Sequence, residues 1–290
     1  LTISLLVIFG TLSIALSFLS SQHNKQAAID SHIHSMSQVI KVSTHEIINS
    51  LTKHTSILSA SLQSDPSFSA AASELFNNNN SSTIITLLDD LFINGFVGAA
   101  DIELAKLRIY DVDFNLLAES KKGLTDLPAG LARPILQKAG IRLGIDRLKA
   151  ISGLWNAPDQ ALFSTITPIG GLRIQGYMEI ILNPTFNFSN LSGMTGLPIS
   201  IHSANNQLLF QSAPDIDNDI NSMAIAYILK SEYSQPLYKI TAYDSATHLN
   251  NMLKDNQLTL VSAFLGLTAF TILIALWVFN RFLFRPTRNM

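Results

Sequence analysis

The chain has 290 residues, a formal net charge of −2 and no cysteine. Without cysteine it has no disulfide framework, thiolate metal site or cysteine nucleophile. The near-neutral charge, with no basic patch, argues against a nucleic-acid partner. The hydrophobic fraction of 47% is high for a soluble protein, and two long uncharged segments near the ends account for the excess. The composition therefore favours a folded region of moderate size between two apolar helices.

The two uncharged segments predict transmembrane helices at residues 1–21 and 258–280. Leu258–Phe279 would form about 33 Å of helix at ~1.5 Å per residue, enough for a hydrocarbon core of about 30 Å. Three arginines and no acidic residue follow in residues 281–290, which is typical of a cytoplasmic flank. For the first segment a cleaved signal peptide is the alternative, but its length and the lack of a small-residue cleavage site favour a retained helix. Residues 22–257 would then lie outside the cytoplasm.

Helical periodicity continues beyond the first apolar segment. Residues 22–62 contain no Pro or Gly and repeat apolar side chains at helical spacing, which predicts one long helix leaving the membrane. Asp65-Pro66 ends this helix, because a residue before proline disfavours the α region. Shorter helices are predicted around residues 68–76 and 83–96.

From Glu103 onward, alternation with a period of two predicts antiparallel strands. The first lobe contains the strands 104–110, 116–120, 161–169 and 173–182, a helix at 131–137 and a hairpin turn at Gly170-Gly171. The second lobe contains the strands 199–203, 208–211 and 237–243, with a helix at 220–230. After Asp244 the pattern becomes helical again. Helices followed by antiparallel strands describe an α+β fold.

Two hairpin segments match each other without a gap. Ile109–Ser120 and Ile201–Ser212 share Ile, two Leu and the final Ser at equivalent positions, with polar turn residues between them. Each segment is expected to precede a helix and then a strand. This order predicts an internal repeat of two lobes, a membrane-distal lobe at 63–190 and a membrane-proximal lobe at 191–257. A single lobe with a helical addition is the alternative, because the second lobe has one clear strand after its helix.

At these hairpins the chain resembles the double Cache extracytoplasmic sensor regions of bacterial transmembrane receptors. Thr167-Pro168-Ile169 and Gly176–Glu179 add to the likeness, and Arg285-Pro286 is similar to the start of a HAMP linker. The resemblance implies an α+β fold with a long N-terminal helix and two PAS-like (Cache) antiparallel-sheet lobes, flanked by two transmembrane helices. It also implies ligand sensing linked to a chemoreceptor, histidine kinase or cyclic-di-GMP output beyond residue 290, without a cofactor.

Strand parity selects the candidate ligand-binding residues, because alternate side chains of a strand share a face. The apolar faces of Leu104–Tyr110 and Arg173–Leu182 are expected to pack on the long helix, which leaves their polar, aromatic faces for a pocket or solvent. The candidates for a small ligand are Arg108, Tyr110, Trp155, Thr165, Thr167, Tyr177 and Glu179, with Trp155 on a loop that folds over this face. An ordinary solvated sheet face is the alternative.

The sequence contains none of the motifs that would indicate an enzyme. P-loop, nucleophile-elbow, zinc-protease and dinucleotide-binding patterns are missing. His23, His34 and His45 return to one helix face, but neighbours are about 16 Å apart at ~1.5 Å per residue, too far to share a metal ion. The leading hypothesis is a homodimeric, two-pass sensor of the bacterial inner membrane that binds a small ligand. The alternatives are a bitopic envelope structural or interaction protein without a ligand, and the regulatory part of an enzyme with its catalytic module beyond residue 290.

Overall fold

The computed structural model describes residues 2–92, 102–214, 222–245, 258–259, 262–263, 265–274 and 277, without the side chains of residues 2–18, 21 and 24. Its helices are α1 (Thr2–Ser64), α2 (Pro66–Asn78), α3 (Ser82–Asp90), α4 (Arg133–Gly140), α5 (Thr185–Phe188) and α6 (Leu191–Thr195), with a 3-10 turn at Gly144–Leu148. Its strands are β1 (Leu104–Tyr110), β2 (Leu116–Glu119), β3 (Ile151–Asn156), β4 (Ala161–Ile169), β5 (Gly176–Leu182), β6 (Ile199–Ser203), β7 (Leu208–Gln211), β8 (Ser222–Lys230) and β9 (Pro236–Ser245). The described elements form an α+β structure, as predicted.

The long helix is continuous. α1 begins in the first apolar segment and ends at Ser64, in agreement with the predicted stop before Pro66. Its buried apolar stripe consists of Ile40, Ile47, Leu51 and Leu58. Asp65 starts the next helix, because its carboxylate accepts the Ser67 N–H at 2.7 Å and Pro66 fits the first helical turn. Of the helix predicted at 83–96, α3 accounts for the part up to Asp90, and residues 93–96 lie outside the described range.

The first sheet has five antiparallel strands in the order β2-β1-β5-β4-β3. β1 and β4 have the predicted bounds. The strand predicted at 173–182 begins only at Gly176, because the turn at Gly170-Gly171 (φ +100° and +63°) extends until Gln175 N–H donates to Ile169 O at 2.8 Å. Residues 152–156, predicted as a loop, instead belong to β3, which pairs along the open edge of β4.

The second sheet has four strands in the order β7-β6-β9-β8. β6 and β7 have the predicted bounds, but the helix predicted at 220–230 is wrong, because Ser222–Lys230 form β8. The buried residues Ile225 and Leu229 are four positions apart, a spacing that fits one face of a helix or of a strand. Because this segment is hydrogen-bonded to β9, it forms a strand. The second sheet therefore has two strands after its hairpin.

The β1–β2 and β6–β7 hairpins are closed by equivalent serines, so the match of the two hairpin segments extends to their hydrogen bonds, although the helix expected after the second hairpin is replaced by β8. Ser120 N–H donates to Leu107 O at 2.9 Å, and Ser212 N–H donates to Ile199 O at 3.0 Å. Each serine hydroxyl in turn accepts the N–H of the same partner, at 3.2 Å from Leu107 and 2.9 Å from Ile199. The final Ser of the twelve-residue match thus has a structural role in both hairpins.

The two turns also share their irregularities. A β-bulge follows Ile109 in the first hairpin and Ile201 in the second. Phe114 and Asn206, at equivalent positions, both have left-handed backbones, with φ of +66° and +63°. The repeat therefore fixes the turn geometry independently of the side chain at that position.

The chain divides into two units, which are described separately. One comprises Ser37–Asn218 and Ala224–Asp244, and the other Leu1–Met36, Asp219–Met223 and Ser245–Met290. Described helical residues of the second unit expose large apolar side chains, among them Leu267, Phe270 and Trp277. Within the described ranges, none of the helices combines the length and hydropathy that a membrane crossing requires. Both spans stay predictions. Of the helix predicted after Asp244, residues 246–257 lie outside the described range, and so does the predicted HAMP-like start at 281–290.

Candidate ligand-binding site

The first sheet presents two different faces, and the candidate residues lie mainly on one of them. Cross-strand pairing places Arg108 opposite Glu179 and Tyr110 opposite Tyr177, in neighbouring rows of the same face. Trp155 lies on this face too, because it belongs to the same buried cluster as Tyr110 and Tyr177. Five of the seven predicted residues are thus brought together. We call this surface the polar face.

Arg108, Tyr110 and Glu179 form a buried polar cluster. Tyr110 OH donates to Glu179 Oε2 at 2.7 Å, and Arg108 Nε donates to Glu119 Oε2 at 3.1 Å. Arg108 and Glu179 are only 2% and 1% exposed. Among the described residues, Glu179 Oε1 is buried and has no hydrogen-bond partner. The free oxygen is an acceptor that a donor group of a ligand would satisfy.

Burial controls the protonation of this cluster. Desolvation raises the pKa of Glu179 above its ordinary value of 4.5, and the Tyr110 hydrogen bond, the nearby Ser164 hydroxyl and the charge of Arg108 offset only part of that rise. Burial also raises the pKa of Tyr110, and the adjacent Glu179 carboxylate adds to it. Tyr110 therefore remains a neutral donor. A cation beside Glu179 would stabilise its ionised form.

Aromatic side chains surround the cluster. Phe114, in the left-handed turn position, stacks on Tyr177 with ring centroids 4.6 Å apart and an interplanar angle of 23°. Tyr177 OH accepts a long hydrogen bond of 3.5 Å from Arg147 Nη2. Trp155 Nε1 donates to Ser164 Oγ at 2.7 Å. These contacts give the polar face the aromatic walls and few fixed polar groups of a small-molecule site.

Helix α4 covers the aromatic end of the polar face. Its buried residues Ile135 and Ala139 belong to one apolar cluster with Tyr110, Trp155 and Tyr177. A Cβ added at Gly153 of β3 would lie 3.2 Å from Ile135 Cδ1, so glycine permits this close approach. The cover buries Trp155 and Tyr177 to 6% and 5% exposure. A ligand that reaches the rings of Trp155 and Tyr177 must therefore displace part of this cover.

Thr165 and Thr167 lie on the opposite face of the sheet, which corrects their predicted placement beside Arg108. Thr165 Oγ1 is 2.7 Å from Thr55 Oγ1 of α1, and Thr167 Oγ1 contacts Ser59 Oγ. Residues 161–167 of β4 are all buried, so alternation gave no signal of which face meets the helix. The loop expected to carry Trp155 is likewise an edge strand. The ligand-binding role of the seven residues stays a prediction.

Four side chains at the polar face were missed from the sequence. Ser164 accepts a hydrogen bond from Trp155, and Phe114 stacks on Tyr177. Glu119 forms an ion pair with Arg108, and Arg147 donates a hydrogen bond to Tyr177. Hairpin register places Glu119 directly opposite Arg108, and this pair of opposite charges was a usable signal. Phe114 and Arg147 lie in a turn and a 3-10 segment, where no strand parity indicates a direction. Among the described residues, no cluster of three His, Asp or Glu side chains offers a metal site.

The similarity of this chain to known proteins lies in its fold. No family model matches the chain, and no curated protein matches it. The similar solved structures include extracytoplasmic sensor domains, the class that the sequence resemblance predicted.

Two of these structures illustrate the likeness. The periplasmic domain of Vibrio cholerae LuxQ is 13% identical, with a TM-score of 0.41, and the match covers 73% of this chain and 98% of that one. The ligand-binding domain of the Campylobacter jejuni chemoreceptor Tlp3, solved with L-valine, is 15% identical, with a TM-score of 0.39 and coverage of 78% and 97%. Neither similarity assigns a role to a residue of this chain.

Proposed function

We propose that this chain is the sensor region of a membrane-anchored receptor and that the polar face of its first sheet binds a small ligand. The observation that carries the proposal is the Glu179 carboxylate, which is buried beside Arg108 and has one oxygen without a partner among the described residues. Isolated buried acceptors are unfavourable, so a side chain that keeps one calls for an explanation.

The second sheet serves as an internal control. Its strands β6 and β9 pair Ser200 with Thr241 at the positions where β1 and β5 pair Arg108 with Glu179. The same hairpin and the same central strand pair thus form with two small hydroxyl residues. Because the architecture does not require charged residues there, we assign the buried charges of the first sheet to ligand binding.

The chemistry of the site selects the ligand. A protonated amine would donate to Glu179 Oε1 and supply the positive charge that stabilises the buried carboxylate. The rings of Trp155 and Tyr177 would enclose a compact apolar part of the same molecule. The proposed ligand is therefore a small amine with a short apolar or aromatic substituent, and the chain itself is proposed to be non-catalytic.

The membrane part of the proposal rests on residues 1–21 and 258–280. Large exposed apolar side chains on the described part of 258–277 support insertion into lipid. Residues 22–257 would lie outside the cytoplasm of a bacterium, with lobes at 63–190 and 191–257 on the helix of 22–62. Binding would shift the equilibrium between two conformations only through a difference in affinity for them. A homodimer would pass this change through its second span to a HAMP-like linker beginning at 281–290 and an output module.

A screen of the full chain by thermal unfolding tests the ligand proposal. Amino acids and polyamines supply the amine, and organic acids of similar size serve as the set that lacks it. We expect at least one amine to raise the midpoint in the wild type, because binding to the native state stabilises it. Glu179→Gln should abolish that rise, while Thr241→Val, at the equivalent position of the second sheet, should keep it. Stabilisation by acids alone, or by no compound, would refute the proposed site and favour a structural or interaction protein.

A further inference from the structure

We infer that helix α4 couples the candidate site to the second sheet through the β8–β9 turn, a role that rests on the proposed function of the polar face. The coupling surface consists of α4 (Arg133–Gly140) and the turn residues 231–235, which lie in the same unit of the chain. One side of α4 covers the ligand site. Another side carries polar contacts to the turn.

On the site side, α4 is fixed by packing and by one polar contact. Ile135 and Ala139, four residues apart, share one helix face and enter the apolar cluster around Trp155. Lys138 Nζ donates to the Ser152 carbonyl of β3 at 3.0 Å. A movement of α4 therefore changes the wall of the site directly.

On the other side, two polar contacts hold the turn. Lys138 Nζ is 2.6 Å from Glu232 Oε1, and Tyr233 OH donates to Gln137 Oε1. The turn itself is well defined, because Ser231 N–H donates to Gln235 O at 2.8 Å. Lys138 thus bonds both sheets at once, β3 of the first and the turn of the second.

A buried contact further along β9 fixes this strand at one point. Tyr238 OH donates to the carbonyl of Ala161, at the start of β4, and its ring packs edge-on against Phe188 with centroids 5.3 Å apart. Tyr238 is fully buried, whereas Glu232 and Tyr233 are more than half exposed. β9 therefore has a firm point of attachment at Tyr238 and a weaker one at the turn that precedes it.

These contacts can transmit a movement of α4 to β9. When a ligand displaces α4, the bonds of Gln137 and Lys138 pull on the turn, and β9 rotates about Tyr238 together with the strands paired to it. The strand continues from Tyr238 to Ser245, roughly 23 Å at about 3.3 Å per residue, so its far end moves in response. That end leads along the chain toward residues 258–280. The displacement of the ligand site is thereby converted into a displacement of β9.

Hydrogen exchange of the unliganded full chain tests the coupling without requiring a ligand. In the double variant Glu232→Met/Tyr233→Phe, both polar contacts of the turn are lost while the exposed positions keep their approximate size. We expect amide exchange in α4 and β3 to accelerate at least about threefold, because local opening no longer breaks these contacts. The matched control is Lys149→Gln, which removes the exposed ion pair with Asp146, 2.7 Å apart, on the α4 side alone. It should leave α4 and β3 at the wild-type rate.

A cross-link tests the same coupling in the opposite direction. Because the chain has no cysteine, Gln137→Cys/Tyr233→Cys provides one defined pair of thiols, which a bismaleimide linker of matched length can join. Cross-linking should slow exchange in α4 and β3 relative to the unlinked form. Unchanged exchange in the double variant and in the cross-linked pair would overturn the coupling and leave the ligand proposal intact. Coupling without any stabilising amine would refute the ligand proposal alone.

Discussion

The two sheets differ in what their equivalent positions contain. Both hairpins have the same serine bonds, the same bulge and the same left-handed turn residue, 92 positions apart in the chain. In the first sheet the central strand pair buries Arg108 and Glu179, whereas the second sheet buries Ser200 and Thr241. The backbone frame is thus specified by a few apolar residues and serines. The ionic cluster is an addition to that frame, which is why we assign it a function.

The largest predicted effect comes from removing a buried charge. Arg108→Met would break the ion pair with Glu119 and remove the positive charge near the buried Glu179, and should lower the free energy of unfolding by about 3–5 kcal/mol. Ser200→Ala, at the equivalent position of the second sheet, should cost only about 1 kcal/mol, through loss of the 3.1 Å contact with Tyr243 OH. Denaturant unfolding measures both values. Equal losses would mean that the buried charge of the first sheet contributes no more to stability than the hydroxyl of the second.

The second effect concerns the tyrosine hydroxyls. Tyr110→Phe removes the donor to Glu179 Oε2 and should cost about 1.5–3 kcal/mol, because the acceptor is charged. Tyr238→Phe removes the donor to a neutral carbonyl of Ala161 and should cost about 1 kcal/mol. Thermal and denaturant unfolding of the two variants provide the comparison. A smaller cost for Tyr110→Phe would indicate that Glu179 is neutral in the native state.

The third effect depends on pH. Since the pKa of Glu179 is raised in the folded state, the native protein binds its proton more tightly than the unfolded chain. The stabilisation is full below the ordinary pKa of 4.5 and is lost as pH rises through the folded value. The unfolding free energy of the wild type relative to Glu179→Gln should therefore fall as pH rises from 4.5 to the folded pKa, by up to about 1.4 kcal/mol per unit, and should level off above the folded pKa. An increase with pH would show that the folded pKa is lowered instead.

The smallest effect separates the two closing serines. Ser120 is fully buried, and its hydroxyl also donates to Lys122 O at 3.1 Å, whereas Ser212 is exposed. Ser120→Ala should cost about 1–3 kcal/mol, because buried groups lose their partners, and Ser212→Ala less than about 1 kcal/mol, because water replaces the hydroxyl. Denaturant unfolding of the two single variants measures both losses of free energy. Equal costs would mean that burial does not distinguish the hairpins.

Sequence patterns predicted the parts of this fold that are determined locally. β1, β4, β6 and β7 have the predicted bounds, because alternation and turn residues are properties of the segment itself. Residues 220–230 were assigned to a helix, since Ile225 and Leu229 satisfy either period and only pairing with β9 selects the strand.

The candidate site was predicted where each strand has unlike faces and missed where it does not. Arg108, Tyr110 and Glu179 alternate with apolar residues, so parity indicated their common face. In β4 both faces are buried, and contacts with Thr55 and Ser59 of α1 determine the direction of Thr165 and Thr167. The role of α4 as a cover depends on packing between distant segments, which no local pattern encodes.

Titration calorimetry with the most strongly stabilising amine of the thermal screen tests the central claim most directly. The claim predicts one binding site per chain, with affinity unchanged in Thr241→Val and at least about tenfold weaker in Glu179→Gln, because a charge-assisted hydrogen bond is lost. Binding that is unaffected by Glu179→Gln, or that is lost in Thr241→Val, would contradict the assignment of ligand binding to the polar face of the first sheet.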